Sequence, residues 1–122
     1  MKTSELTRSA LDWAVAQANG DTDLDWFVYE GEFYFGSGPS DPAPVAFMPS
    51  RNWFDGGPII ERERITIEWL RWDDKDCALG VWGAQKLEIG RTYQEGFSPL
   101  QAAMRCYVAS ALGDEIDTPE GL

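Results

Sequence analysis

The C-terminal part of the chain carries the sequence signal that most constrains the fold. Ser98 followed by Pro99 and Gln101 predicts a helix start: the serine hydroxyl can accept a backbone N–H bond, proline needs no donor there, and glutamine completes a capping box. Gly113 is a typical helix stop. The apolar residues between these signals recur at helical spacing, and they are Leu100, Ala103, Met104, Tyr107, Val108 and Ala111. The sequence therefore predicts a helix whose single apolar stripe packs on a core.

The other predicted elements are a second helix and several strands. The helix begins within residues 3–7 and runs to about Asn19, with Gly20 as its stop. Strands are predicted over 26–30, 32–35, 45–48, 65–70 and 77–82, with Gly31 as a hairpin turn. The pattern of residues 83–97 is ambiguous. Together these elements predict an α+β domain in which an antiparallel sheet of four or five strands is covered on one face by the N-terminal and C-terminal helices.

Length and composition indicate one globular domain. A chain of 122 residues is long enough for one hydrophobic core and too short for two, so we expect a single domain over 1–122. Hydrophobic residues make up 43% of the chain, which is too much for a disordered protein. Neither a long apolar run nor a signal-peptide pattern is present. We therefore expect a cytosolic protein without a membrane association.

The formal net charge of −11 is unevenly distributed. No Lys or Arg lies between Arg8 and Arg51, and the segment after Arg105 contains only acidic charges, on Asp114, Glu115, Asp117 and Glu120. Such a surface repels a phosphate backbone, which argues against ordinary nucleic-acid binding. It would attract a basic partner, although the same charge is also explained by solubility alone.

Residue types that build common catalytic and metal sites are sparse. The chain has no histidine, which excludes Ser-His-Asp and Cys-His nucleophiles and all histidine-containing zinc sites. The two cysteines, Cys77 and Cys106, are expected to be free thiols. The acidic segment 21–32 resembles a calcium loop only superficially, because Trp26 occupies the position that needs glycine. The acids of 73–76 are typical of a solvated turn. We expect no cofactor and no bound metal.

The segment 50–62 looks most like a binding site. Ser50 can cap a single helical turn, and the pair Gly56 and Gly57 allows a stop with positive φ. Pro58 would then fix the exit into an extended run. Such a corner is expected to pack Trp53 inward and to gather charged side chains beside exposed backbone N–H groups. A purely structural corner would have the same pattern, so both interpretations remain open.

A pocket is predicted between this corner and the last helix. Arg105 lies at the edge of the apolar stripe, about 120° from its centre at roughly 100° per residue. From there it can reach a pocket, although a surface ion pair is the more common arrangement. The candidate binding residues are Trp53, Asp55, Gly56, Gly57, Glu61, Arg62 and Arg105. No residue is a candidate for catalysis.

Three blocks of the chain resemble those of the phage NinX-like proteins in order and spacing. The blocks are Thr3 to Leu6 with Ala10 to Ala16, Trp53 to Glu63, and Ser98 to Ser110 with Leu112 to Glu115. They cover most of the chain outside the middle loops. The stretch between the hairpin and Pro49 is longer than in the family, and 83–97 departs from it. The resemblance implies a bacteriophage or prophage accessory protein in the host bacterial cytoplasm, and it implies no particular reaction.

Three functions are compatible with these observations. The first is a non-catalytic protein that binds a host bacterial protein, in a host-takeover or anti-defence role. The second is a small-ligand module that captures an anionic metabolite or nucleotide. The third is a small enzyme that uses carboxylates without histidine. The missing catalytic signature favours the first function over the other two.

Overall fold

The computed structural model describes residues 1–73, 78–87 and 91–122. Within these ranges the helices are α1 (Arg8–Ala18), α2 (Trp53–Glu63) and α3 (Pro99–Leu112), and the strands are β1 (Trp26–Tyr29), β2 (Glu32–Phe35), β3 (Val45–Ala46), β4 (Thr66–Trp72), β5 (Gly80–Lys86) and β6 (Thr92–Gly96). The predicted α+β class is confirmed. A single sheet of four or five strands does not form, because these strands build two three-stranded antiparallel sheets in the orders β1-β2-β3 and β4-β5-β6.

The first sheet contains the hairpin predicted around Gly31. Glu30 (φ 52°) and Gly31 (φ 76°) both have positive φ, as the two central residues of a type I′ hairpin turn require. β3 is shorter than the strand predicted over 45–48. Phe33 of β2 is fully buried, and its ring contacts those of Trp26, Phe35 and Phe47. This small sheet therefore buries an aromatic face against the rest of the core.

The second sheet begins with β4, which the alternation over 65–70 predicted. Ile67 lies opposite Ala84 of β5, and both side chains pack in the core. Apart from Asp73, the turn predicted over 73–76 lies outside the described residues, and so does the strand start predicted at Cys77. The ambiguous segment 83–97 continues β5 and then forms β6, an outer strand of this sheet. The sequence did not predict β6, because its residues are mostly polar and lack alternating apolar positions.

Helix α3 lies at the centre of the fold. Its cap forms as predicted, with Ser98 Oγ accepting the Gln101 N–H at 3.0 Å, while Gln101 Oε1 accepts the Phe97 N–H at 2.8 Å. The helix contacts all three strands of the second sheet as well as α1 and α2. Every residue of 102–109 is buried, so α3 is enclosed around its circumference and not only along one stripe. Gly96 permits this packing, because a Cβ there would lie 2.6 Å from the backbone nitrogen of α3 at position 102.

Helix α1 contacts both α3 and β2. It starts at Arg8, after a short 3-10 turn over Thr3–Glu5. Thr3 anchors this turn to the end of α3: its hydroxyl donates to the Gly113 carbonyl at 2.7 Å, and its N–H donates to the Asp114 carbonyl at 2.8 Å. The two terminal helices therefore pack on each other, and each contacts a different sheet. The prediction that both helices cover one face of a single sheet is therefore wrong.

Helix α2 corrects the predicted corner. Residues 53–63 form an eleven-residue helix and not a single turn, and neither Gly56 nor Gly57 has positive φ. Pro58 lies inside the helix, where it removes one hydrogen bond to the Phe54 carbonyl. The left-handed residue that ends the helix is Arg64, with φ 55°. The glycine pair was therefore misinterpreted as a stop.

Candidate functional site

The starts of α2 and α3 carry exposed aromatic side chains. Phe54 is 86% exposed, Trp53 55% and Phe97 49%; these three residues are called the aromatic surface below. A cavity of about 230 Å³ lies beside Trp53, and another of about 210 Å³ lies beside Phe97. The two cavities share the lining residues Ser50, Arg51 and Ser98. Trp53 and Phe97 thus border one depression between the two helix starts, and Phe54 lines neither of its cavities.

The predicted inward packing of Trp53 is wrong. The residues that α2 buries are Gly56 and Ile59. A Cβ on Gly56 would lie 2.5 Å from the Pro49 carbonyl oxygen and 2.7 Å from Leu100 Cδ2. Position 56 therefore needs glycine for close packing and not for a positive φ. This contact holds α2 against the start of α3.

Side-chain hydrogen bonds hold the first turn of α2 against the preceding turn. Asn52 caps the helix, because its Oδ1 accepts the Phe54 N–H at 2.9 Å. Asp55 accepts the Met48 N–H at 2.9 Å. Asp55 was a candidate binding residue, and the structure gives it this internal bond. A Cβ on Gly57 would meet nothing within 4 Å apart from its chain neighbours and the backbone of its own helix.

A cluster of three charges lies under the depression. Both guanidinium ends of Arg51 donate to the Glu32 carboxylate, one of them at 3.0 Å. Arg8 lies 3.7 Å from the same carboxylate. The hydrogen bond from Arg51 holds the pKa of Glu32 below its usual value. Two arginines meet two carboxylates here, Glu32 and the buried Asp12 whose charge interacts with Arg51, so the charges of this group nearly balance at neutral pH.

A buried carboxylate supports the floor of the depression. Asp12 of α1 is fully buried, and its Oδ1 accepts the Ser50 N–H at 2.9 Å. Among the described residues, neither Asp12 Oδ2 nor Ser50 Oγ, both buried, has a hydrogen bond of normal length, although the Ser50 side chain is close enough to help lower the pKa of Asp12. Burial raises the pKa of Asp12 to about 6, although its hydrogen bond to Ser50 and the charge of Arg51 oppose the increase. Asp12 therefore couples α1 to the turn that starts α2.

Glu61 and Arg62 lie near the other end of α2 from Trp53. Arg62 follows Trp53 by nine positions, which is about 14 Å along the axis at roughly 1.5 Å per residue. Arg62 donates to Tyr107 Oη and to Asn19 Oδ1, each at 3.1 Å, and to Glu63 at 2.8 Å. Arg62 is therefore part of a surface network between α1, α2 and α3, and Glu61 is exposed beside it.

Arg105 lies on a different side of α3 from this network. It is only 8% exposed, and it donates from Nε to the Leu6 carbonyl and from Nη1 to the Glu95 carbonyl, each at 2.9 Å. Tyr107, which holds Arg62, follows two residues later and so points about 160° away around the helix. The structure does not bring Arg62 and Arg105 into one pocket. The surface ion pair considered for Arg105 is also wrong, since among the described residues it contacts no carboxylate.

A second group of exposed aromatic residues lies on the second sheet. The Trp69 ring contacts those of Trp72 and Trp82 edge to face, with centroids 4.9 and 5.4 Å apart. It also covers Gly80, where a Cβ would collide with it. These tryptophans thus pack on one another. Phe54 has no ring contact within the described chain, so its exposure has no such internal explanation.

Phe54 and Phe97 were not among the candidate site residues predicted from the sequence. One signal for Phe54 was available: two large aromatic residues directly follow the cap Asn52, and neighbouring helix positions are about 100° apart, so both can hardly face the core. Phe97 lay in the ambiguous segment, directly before the cap Ser98. No sequence pattern identified it.

The described residues contain neither a cluster of three metal-binding side chains nor a helix long and apolar enough to cross a membrane. In the calcium-like segment, Glu32 instead binds Arg51. Cys106 is buried, and burial raises the pKa of its thiol to about 11, so the thiol stays protonated at neutral pH.

Comparison with known proteins assigns the chain to a family. The family model described as bacteriophage P22 NinX matches residues 2–111. No curated protein matches the chain. The matched range contains α1, α2, nearly all of α3 and every described strand, including the aromatic surface. The chain belongs to the phage NinX family.

Proposed function

We propose that this phage accessory protein acts in the bacterial cytoplasm by binding a host protein through the aromatic surface, without catalysing a reaction. The observation that carries the proposal is the 86% exposure of Phe54 beside the half-exposed Trp53 at a rigid helix start. Large exposed aromatic side chains cost solubility, and tryptophan and arginine are enriched among the residues that dominate binding energy at protein interfaces.

The rigidity of this surface favours binding. The first turn of α2 is capped by Asn52, tied to Met48 through Asp55 and packed against Leu100 through Gly56. The backbone would therefore lose little conformational freedom when a partner binds, and this lowers the entropic cost of association. The depression beside Trp53 and Phe97 offers a place for a partner side chain.

The charge of the protein favours a host protein over a second copy of the chain or a nucleic acid as the partner. A net charge of −11 on each copy opposes association of two copies, and it also opposes binding to a phosphate backbone. Arg8 and Arg51 place two guanidinium groups at the rim of the depression. A partner with an apolar side chain next to an acidic one complements this rim.

The test is capture by the tagged full chain from a lysate of the host bacterium, followed by identification, purification and titration of the captured protein. The double variant Trp53→Ser with Phe54→Ser should weaken binding at least about thirtyfold, because hot-spot side chains contribute roughly 2 kcal/mol or more. Leu24→Ser is the matched control, because Leu24 is 51% exposed and lies outside the surface. It should leave the dissociation constant unchanged.

Two results would contradict the proposal. Equal affinity of the wild type and the double variant for the purified partner would remove the aromatic surface from the interface. A concentration-dependent dimer in analytical ultracentrifugation that the double variant abolishes would make a second copy the occupant. Thermal unfolding of each variant checks that a loss of binding is not a loss of fold.

A further inference from the structure

Arg105 lines a separate cavity that shares only Phe97 with the aromatic surface. The cavity has a volume of about 180 Å³ and lies where the N-terminal 3-10 turn meets the ends of the second sheet. Ser4, Val81, Gly96 and Phe97 form part of its wall. A ligand bound in this cavity would meet the aromatic surface only at Phe97, so the cavity can be tested separately from protein binding through Trp53 and Phe54.

The guanidinium of Arg105 is a buried charge with unused donors. It has five N–H groups, of which two donate to the carbonyls of Leu6 and Glu95. Within the described ranges no carboxylate forms an ion pair with it. Burial lowers the pKa of Arg105. A buried cation without a counter-ion is unfavourable, and a bound anion would relieve that cost.

The other charged groups at the cavity restrict the net charge of the ligand. Both carboxylate oxygens of Glu95 already accept hydrogen bonds, from Arg71 at 2.9 Å and from the Tyr93 hydroxyl at 2.8 Å. Arg71 and Glu95 thus compensate each other. The remaining acid is Asp73, which is exposed and would repel an approaching anion. One uncompensated buried cation and one rim acid favour a ligand with a single negative charge.

The size of the cavity restricts the ligand further. About 180 Å³ equals roughly six water volumes at ~30 Å³ each. It is smaller than the roughly 300 Å³ at which pockets for larger ligands begin, so a nucleotide does not fit. We propose that the Arg105 cavity binds a small aliphatic monocarboxylate, whose carboxylate accepts the free N–H groups of Arg105 while its alkyl part contacts Val81 and Phe97.

The test is a titration of the ¹⁵N-labelled full chain with sodium butyrate, followed by NMR at constant ionic strength, with inorganic phosphate as the comparison anion. Butyrate should give saturable shifts at Gly96 and Phe97 in the millimolar range, and phosphate should not. Asp73→Asn should tighten butyrate binding roughly fivefold, because it removes a repulsion of about 1 kcal/mol. Asp23→Asn is the control, since it removes an equally exposed charge that does not line the cavity.

Arg105→Lys should weaken butyrate binding, because lysine cannot present the paired donors of a guanidinium. Asp73→Asn keeps the test decisive even if Arg105→Lys unfolds, because Asp73 is exposed. Non-saturable butyrate shifts, or butyrate affinity unaffected by Asp73→Asn, would overturn the assignment. Phosphate binding as tight as butyrate binding would overturn the monocarboxylate specificity. None of these results bears on capture of a host protein through Trp53 and Phe54.

Discussion

Replacing Asp12 by asparagine should make the protein more stable at neutral pH. Asp12 is fully buried, and only its Oδ1 is hydrogen-bonded, to the Ser50 N–H. Asparagine keeps the acceptor for that bond. Its amide group can also donate to Ser50 Oγ, which is buried without a partner in the wild type. The change therefore removes a buried charge and gives the buried Ser50 Oγ a hydrogen-bond donor.

The size and sign of the effect follow from the pKa of Asp12. Burial raises this pKa from 3.8 to about 6, an increase of about 2 units. One unit corresponds to about 1.4 kcal/mol, so ionised Asp12 destabilises the fold by at most about 3 kcal/mol. The native state binds its proton more tightly than the unfolded chain does. The contribution of Asp12 to stability is therefore largest below pH 4, falls between pH 4 and 6, and is lost above pH 6.

Urea unfolding at a series of pH values tests this reasoning. The free energy of unfolding of Asp12→Asn minus that of the wild type should be near zero at pH 4 and should rise to between 1 and about 3 kcal/mol at pH 7.5. Asp41→Asn is the control of opposite sign, because the backbone N–H groups of Ser37 and Ala43 hold the pKa of Asp41 below its usual value. A difference for Asp12→Asn that does not change with pH would refute the reasoning.

Three further predictions follow from the packing. Gly56→Ala should lower the unfolding midpoint because its Cβ meets Pro49 and Leu100, whereas Gly57→Ala should have a smaller effect, because only the neighbouring Pro58 ring opposes its Cβ; equal effects in denaturant melts would contradict the packing of α2. Met104→Asp should destabilise by more than about 4 kcal/mol because Met104 is fully buried, and an unchanged urea midpoint would count against this. Arg105→Ala should lower the melting temperature far more than Arg62→Ala, since only Arg105 is buried; similar calorimetric shifts would argue otherwise.

Local sequence signals predicted the parts of the fold that depend on local chemistry. The cap at Ser98, the stop at Gly113 and the hairpin at Gly31 were all correct, because each is determined within four or five residues. The division into two sheets could not be predicted in this way. It depends on which strands pair across long sequence separations, and alternation of apolar residues gives no information about pairing partners.

The candidate site was predicted less well, for one physical reason at α2. Gly56 and Gly57 were interpreted as a helix stop because glycine readily adopts positive φ. In the structure, Gly56 instead allows close packing against Pro49 and Leu100. Because of that error, the predicted helix was too short and Trp53 was predicted to face inward. The same segment did contain the exposed aromatic pair and the cap Asn52, so the location was informative although its geometry was wrong. The binding role of these residues stays a prediction.

The central position of α3 explains why the two arginines serve different surfaces. A helix enclosed on all sides has no face left for a broad binding site, so its polar residues can act only where neighbouring elements end. Tyr107 meets Arg62 at the surface where α2 ends. Arg105 emerges where the sheet edge and the 3-10 turn leave a gap. The exposed start of α3 lies beside Trp53. Enclosure of the core helix thus limits the contribution of α3 to recognition to these three places, and the last of them combines exposed aromatic rings with a rigid backbone.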